Sequence, residues 1–328
     1  MVDQVITNKI LRYIRCTTGS ETFALDMDAV YSIQRSDNLH LDPISPDGIG
    51  WFPVREAQVP VYSLSKCLGD KKSVHSTVGR VILMSPSSEH TGFWGLAVDQ
   101  VSQVYNTGFQ ALSPLPESLS IGSQRYFHAV LRAADELYLM IDPAGIHPGN
   151  LEPVKKKYFE KSVATFTAAD TTVRTEDVGR GQTRQKQLII FYLPGETEHL
   201  QFGLSITQVL EILTPLPVIA LPGAPDYILG LVNWRDRPIP LVDLPARLGL
   251  QSLAEPASPR LMIVRDNLNR QTRVMGFYVH PNIHMLRLPV KERPTSSQVT
   301  IPQELIKGKV EIDGRLTVIP KISTILAK

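Results

Sequence analysis

A short turn in the second half of the chain concentrates polar side chains that can hold other polar groups. Asn233, Trp234, Arg235, Asp236 and Arg237 follow one another between two apolar runs. A guanidinium group is planar and carries five donors, so Arg235 can hold a carboxylate through two parallel hydrogen bonds. Turns displayed by a rigid scaffold are common recognition sites. The pattern therefore indicates recognition.

Glu211, in the segment VLEIL, is the carboxylate that we expect to pair with Arg235. Such a pair would hold the strand of Glu211 against the turn, and breaking it would cost about 3–5 kcal/mol if it is partly buried. The alternative is an ordinary surface arginine, worth less than about 1 kcal/mol. Trp234 also has two interpretations: an exposed contact residue, of a type enriched at binding interfaces, or a side chain packed on the core.

The turn belongs to an internal repeat. Residues 49–69 align without a gap on residues 229–249, and six of the 21 aligned positions are identical. Matching segments continue on both sides, which indicates duplication of a whole domain rather than a solenoid of 20–50-residue units. We predict a first domain at residues 1–147, a polar linker at 148–187 and a second domain at 188–328.

The two copies share their apolar frame but differ in their polar centre. Arg55 stands at the position of Arg235. The other polar positions change: Ser32 replaces Glu211, Pro53-Val54 replaces Asn233-Trp234, Glu56-Ala57-Gln58 replaces Asp236-Arg237-Pro238, and Ser63 replaces Asp243. We therefore expect the first copy to keep the fold and to bind a different partner or none.

The elements that carry these turns are predicted to be short strands. Apolar runs rich in branched residues lie between 25 prolines and several turn formers, which is typical of β-structure. The runs are 81–84, 137–141, 188–193, 239–242, 261–264 and 316–319. Two short helices are predicted to end at Gly69 and Gly249, because glycine relieves left-handed strain just after a helix. The predicted fold class is all-β with a few short helices.

Composition and motifs exclude several functional classes. Lys plus Arg is 34 and Asp plus Glu is 32, which does not favour nucleic-acid binding. No apolar run approaches the ~20 residues of a membrane helix, and the N-terminus does not resemble a secretory signal. Cys16 and Cys67 are expected to be reduced thiols. Catalytic motifs, metal-ligand spacings and cofactor-binding signatures are missing, so we expect no enzyme, metal or cofactor.

The segment YILGLVNWRDRPIPLVDLPARLGL resembles the signature of the CheW-type adaptors of bacterial chemotaxis. Gly230, Asn233, Arg235, Pro240 and Asp243 fit that pattern, as does an acidic residue at Glu211. The first-half segment WGLAVDQVSQV, which contains Val98 and Asp99, resembles a second element of the family.

The resemblance implies two tandem domains, each a pair of small five-stranded SH3-like barrels. It implies a non-enzymatic scaffold that couples a CheA-type histidine kinase regulatory domain to the cytoplasmic hairpin tip of chemoreceptors. We expect a cytoplasmic protein recruited to receptor arrays, without direct membrane insertion. The residues expected to bind partners or shape the groove are Glu211, Asn233, Trp234, Arg235, Asp236, Arg237, Asp243, Arg55, Val98 and Asp99. The alternative is a small-molecule sensor or enzyme with a pocket between barrels.

Overall fold

The computed structural model describes residues 10–42, 48–69, 78–86, 92–116, 125–148, 186–194, 200–250, 258–266, 273–288, 301–312 and 314–326. Most of the predicted linker, with Lys155–Lys157, lies outside these ranges, and the predicted domain limits stay predictions. No helix within the described ranges is long and apolar enough to cross a membrane.

The first half contains thirteen described strands and two short α-helices. The strands are β1 (Ile10–Thr18), β2 (Glu21–Asp26), β3 (Val30–Arg35), β4 (His40–Leu41), β5 (Gly48–Val54), β6 (Ala57–Ser63), β7 (Arg80–Met84), β8 (Trp94–Val98), β9 (Gln100–Val101), β10 (Tyr105–Gly108), β11 (Leu112–Ser113), β12 (Phe127–Ala133) and β13 (Glu136–Ile141). The helices are α1 (Leu64–Cys67) and α2 (Pro143–Ile146).

The second half repeats this plan. Its strands are β14 (Lys186–Phe191), β15 (Leu200–Ser205), β16 (Val209–Leu213), β17 (Val218–Ile219), β18 (Ile228–Trp234), β19 (Arg237–Val242), β20 (Arg260–Asp266), β21 (Arg273–Val279), β22 (His284–Leu288), β23 (Ile306–Ile312) and β24 (Arg315–Pro320). Its helices are α3 (Leu244–Arg247) and α4 (Ile322–Ile325). Short 3-10 turns occupy Met27–Ala29, Ser36–Asn38, Phe109–Ala111 and Gln303–Leu305.

Each half contains two mixed sheets with a nested chain path. Sheet 1 has the order β10-β1-β2-β13-β12-β11, with β9 also paired to β1, and sheet 2 has the order β3-β7-β8-β6-β5-β4. Sheet 3 has the order β22-β14-β15-β24-β23, and sheet 4 has the order β16-β20-β21-β19-β18-β17. In both halves the chain starts one sheet, builds the other completely, and returns to finish the first.

The predicted all-β class with a few short helices is confirmed, and each predicted apolar run contributes to a strand. Two-residue strands such as β4 and β17 take the sheets beyond five strands in three of the four cases. Alternating burial explains the local choice of strand. In β1, for example, Leu11 and Tyr13 face a small core that they share with Leu131 and Met140.

Large apolar side chains fill the space between sheets 3 and 4. Phe191 lies at the centre of this core, with ring centroids 5.9 Å from Phe202 and 5.7 Å from Phe277. Leu244 of α3 and Ile322 of α4 close the same core. The two short helices therefore cover the core between the two sheets. Their packing fixes the ends of the strands that carry the site.

Glycines act where the backbone requires them. Gly69 and Gly249 follow α1 and α3 with φ of 86° and 73°, as predicted. A Cβ on Gly50 would lie 1.8 Å from the carbonyl oxygen of His40. Only glycine therefore allows β4 to approach β5.

Candidate recognition site

The predicted recognition turn is the tip of a tight hairpin between β18 and β19. Arg235 and Asp236 form a two-residue loop with φ of 49° and 63°. Positive φ at both positions defines a type I′ turn, whose twist matches that of the flanking strands. Such values are uncommon outside glycine. Arg235, Asp236 and Arg237 are all exposed at this tip.

Trp234, one residue before the tip, packs inward. It is half-buried and lies against the core of sheet 4, together with Leu210 and Val274. Its indole Nε1 donates a hydrogen bond of 2.9 Å to Oε2 of Glu211. The structure thus shows Trp234 packed on the core, and its role in partner binding stays a prediction. The hydrogen bond connects β16 to β18 and satisfies the one polar atom of the ring.

Arg235 is exposed, which changes the energetic expectation for its predicted ion pair with Glu211. A pair that involves an exposed arginine is worth less than about 1 kcal/mol, because water competes for both charges. The cost of 3–5 kcal/mol that applies to a buried pair does not apply here. The pairing itself stays a prediction.

Asn233 and Asp243 have local structural surroundings. Asn233 is half-buried, and its Oδ1 accepts no hydrogen bond from the part of the chain that the structure describes. Asp243 caps α3, with Oδ1 accepting a 3.0 Å hydrogen bond from the backbone N–H of Ala246. An acidic cap satisfies a donor that the helix leaves unpaired. The family signature at Asp243 thus corresponds to helix capping.

The homologous hairpin of the first half has the same length but a different turn. Arg55 has a φ of 55°, and Glu56 is not among the positive-φ residues. Both side chains are exposed. Two charged residues thus stand at the tip of each hairpin, and the first of them is arginine in both.

An open groove lies beside the first-half tip. It is lined by Tyr31, Val54, Arg55, Glu56, Ala57, Val59 and Phe93. Tyr31 is 46% exposed and Phe93 is 37% exposed. Their ring centroids are 4.8 Å apart with a tilt of 59°, so two aromatic rings form one wall.

Val98 and Asp99 lie elsewhere in the first half. Val98 is buried at the end of β8, whereas Asp99 Oδ2 accepts a 2.7 Å hydrogen bond from the backbone N–H of Gly19. The N–H of Asp99 also donates to the carbonyl oxygen of Thr17. Asp99 therefore ties the end of β8 to β1 and to the β1–β2 turn. Its contacts are those of a joint between sheets 1 and 2.

Sequence reasoning named the tip residues but missed the groove. The missing signal was present in the repeat alignment, where small Val54 stands at the position of large Trp234. Tyr31 and Phe93 align with Leu210 and Val274, so bulk is redistributed around one structural position. The first half thus has aromatic residues at two of these positions and a small residue at the third. This pattern indicates that the surface differs between the two copies.

Several groups of the first half have displaced pKa values, among them His128 and Tyr138. Burial lowers the pKa of His128 in β12 to about 4, and a backbone hydrogen bond at Ile141 opposes this only partly. Burial, with a hydrogen bond to Glu136, raises the pKa of Tyr138 to about 12. Arg15 lies 4.4 Å from the centroid of the Tyr138 ring and 4.5 Å from that of Tyr105. The guanidinium is therefore held by two cation–π contacts.

Comparison with known proteins agrees with the fold and with the repeat. The protein-family model of the CheW-like domain matches residues 12–148 and again residues 187–328. The chain belongs to the CheW-like domain family. It contains two CheW-like domains, one in each half.

Relatives of the CheW-like domains have chemotaxis names. The chain is 30% identical over 142 residues to "Chemotaxis protein CheW" of Rhizobium meliloti, which covers 43% of this chain and 86% of the relative. It is 26% identical to the CheW of Helicobacter pylori over 39% of this chain and 76% of that protein. The scaffolding protein TtCheW from Thermoanaerobacter tengcongensis is 22% identical, with a TM-score of 0.39 over 46% of this chain and 93% of its own.

Proposed function

We propose that this protein is a non-enzymatic adaptor that couples a CheA-type histidine kinase to chemoreceptors in a chemotaxis or chemotaxis-like pathway. The observation that carries the proposal is the presence of two CheW-like domains. Relatives named as chemotaxis proteins support it. We place the protein at receptor arrays in the cytoplasm.

The physical mechanism is geometric. In each half a short hairpin, held by a packed sheet pair, presents an exposed arginine at a fixed position: Arg55 or Arg235. An exposed guanidinium on a rigid support can hold a carboxylate of a partner through two hydrogen bonds. Because the two domains share one chain, docking of the first raises the local concentration of the second. The free energy of binding therefore holds the partner proteins in a fixed arrangement.

The test measures binding of the intact chain to the regulatory domain of a CheA-type kinase and to a receptor hairpin tip by calorimetry. We expect Arg235→Glu to weaken binding of at least one partner about tenfold, since charge reversal at a contact costs about 1.4 kcal/mol or more. The matched variant Arg55→Glu should not weaken the same partner. Failure of the intact wild-type chain to bind either partner would refute the adaptor function.

The alternative of a small-molecule sensor has one observation in its favour, the open groove of the first half. A thermal shift with small metabolites, without binding of kinase or receptor, would support the sensor. Binding of kinase or receptor without such a shift would support the adaptor.

A further inference from the structure

The two domains treat the same barrel end in opposite ways. In the second half, Trp234 fills this position and packs against the core of sheet 4 beside Leu210 and Val274. In the first half, Val54 occupies the matching position and an open groove lies there. The side chain of valine is much smaller than that of tryptophan, because it has no indole ring. The first half therefore lacks the side chain that closes its relative.

The rest of the first-half site is suited to an aromatic ring. Tyr31 and Phe93 are 46% and 37% exposed, and the buried apolar residue Val59 also lines the groove. Aromatic rings prefer tilted or edge-to-face neighbours at centroid distances of about 4.5–7 Å. The tilted Tyr31–Phe93 pair already has this geometry at 4.8 Å, so a third ring can extend it.

The groove is continuous with the hairpin tip. Arg55 and Glu56, the two exposed tip residues, are also lining residues. The exposed guanidinium of Arg55 is complementary to a carboxylate placed next to an inserted ring. Neighbouring apolar and charged groups of this kind form an anchor pocket with a polar rim, as at the centres of protein interfaces.

We infer that the open barrel end of the first domain is a socket for an aromatic side chain, of indole size and flanked by an acidic residue, on a partner protein. The chain's own Trp234 shows which group closes such an opening in the second domain. This inference rests on the proposed adaptor function for the existence of a protein partner. It gives the first domain a binding role that the second domain, with its opening filled, does not share.

The first experiment tests the socket alone, with two short peptides added to the full-length chain. The peptides are acetyl-Asp-Trp-Glu-amide and acetyl-Asp-Leu-Glu-amide, and binding is followed by NMR chemical shifts of the isotope-labelled protein. We expect the tryptophan peptide to bind at least tenfold more tightly and to shift signals of residues around Tyr31 and Phe93. Equal binding of the two peptides would overturn the socket.

Four variants sharpen this result. Val54→Trp fills the opening with the residue of the second half and should weaken the tryptophan peptide at least tenfold. Tyr31→Leu and Phe93→Val, which install second-half residues at exposed positions, should each weaken it several-fold even if Val54→Trp misfolds. The wild-type protein should bind the acidic tryptophan peptide more tightly than acetyl-Lys-Trp-Lys-amide. Arg55→Glu should abolish this preference. Unchanged binding by folded Val54→Trp or by both surface variants would refute the inference.

A last arm separates the two possible sources of an aromatic group. If 5-fluoroindole, followed by fluorine NMR, binds as tightly as the tryptophan peptide, the site takes a free small molecule and the assignment to a protein partner is wrong. Peptide binding does not depend on kinase or receptor. Failure of the adaptor test therefore leaves the socket result readable, and failure of the peptide test leaves the adaptor function standing.

Discussion

The hairpin between β5 and β6 and the hairpin between β18 and β19 share a length, an arginine and an exposed tip, yet they end their sheets differently. Trp234 turns inward and is tied to Glu211 by a hydrogen bond of 2.9 Å, whereas Val54 leaves an open groove walled by Tyr31 and Phe93. The backbone frame of a duplicated domain is thus conserved by apolar packing. Changes of side-chain volume at three matched positions, Val54/Trp234, Tyr31/Leu210 and Phe93/Val274, separate the surfaces of the two copies.

The two halves also secure their terminal helices with different arginines. In the second half, Arg247 donates through Nε to the carbonyl oxygen of Ile325 at 2.8 Å and through Nη2 to that of Thr324 at 3.2 Å. In the first half, Arg125 donates to the carbonyl oxygen of Gly145 at 3.3 Å. The same requirement, unpaired carbonyls at the end of a short helix, is met from different places in the sequence.

The largest difference between the halves should be the loss of stability at acid pH. His128 is buried, whereas Lys307 at the matching position of β23 is exposed. The pKa of His128 is about 4 in the folded protein and about 6.5 when unfolded, so between these values only the unfolded chain binds the proton. The free energy of unfolding of the first half should therefore fall with pH from 6.5 to 4, by about 3 kcal/mol in total.

Hydrogen exchange of the intact chain, followed peptide by peptide, measures this loss in each half. His128→Gln should remove most of the pH dependence in peptides of sheet 1, because glutamine does not titrate. His284→Gln, at an exposed histidine of β22, is the matched control and should leave the profile as it is. A wild-type first half that is equally stable at pH 4 and pH 7 would contradict the prediction.

The next effect concerns the barrel ends themselves. Trp234→Val should destabilise the second half by about 2–3 kcal/mol, because it removes aromatic packing from a half-buried site and leaves Glu211 without the indole donor. Val54→Trp should change the first half by less than about 1 kcal/mol, because the added ring enters an existing opening. Hydrogen exchange of peptides from sheets 4 and 2 compares the two. A larger loss for Val54→Trp would show that the groove is not open.

A smaller effect is expected at the terminal helices. Arg247→Ala removes two hydrogen bonds from a charged donor and a cation–π contact with Tyr227, so α4 should open more easily by about 2 kcal/mol. Arg125→Ala removes one long hydrogen bond, and α2 should lose less than about 1 kcal/mol. Exchange rates at residues 322–325 and 143–146 report the two losses. The reverse order would mean that these bonds do not hold the helices.

The smallest effect should be at Cys16. Burial raises the pKa of its thiol to about 12, and the matching residue of the second half is Phe191. In the native protein at pH 8, iodoacetamide should therefore not modify Cys16 over hours. In the urea-unfolded chain the same thiol should react readily. Mass spectrometry of tryptic peptides measures both. Rapid native labelling would show that β1 opens frequently.

Sequence alone predicted the parts of this molecule that depend on local patterns. Runs of branched residues predicted strands, and Gly69 and Gly249 predicted helix ends, because such features follow from steric preferences within a few residues. The pairing of Trp234 with Glu211 connects positions 23 residues apart across two strands, and no local pattern specifies it. The groove at Tyr31 and Phe93 joins residues 62 positions apart and could be found only by comparing side-chain volumes between the copies.

The nested path of the chain has a consequence for how each half comes off the ribosome. Strand β2 is complete at Asp26, but its parallel neighbour β13 ends at Ile141, after all of sheet 2 has been synthesised. Strands β9 and β10, the partners of β1, also follow sheet 2, so the first hairpin stays unpaired at both edges while that sheet is made. A nascent chain that stops before β13, or before β24 in the second half, exposes a strand edge to aggregation. Translation pauses within residues 30–126 should therefore be more harmful than pauses after Ile141.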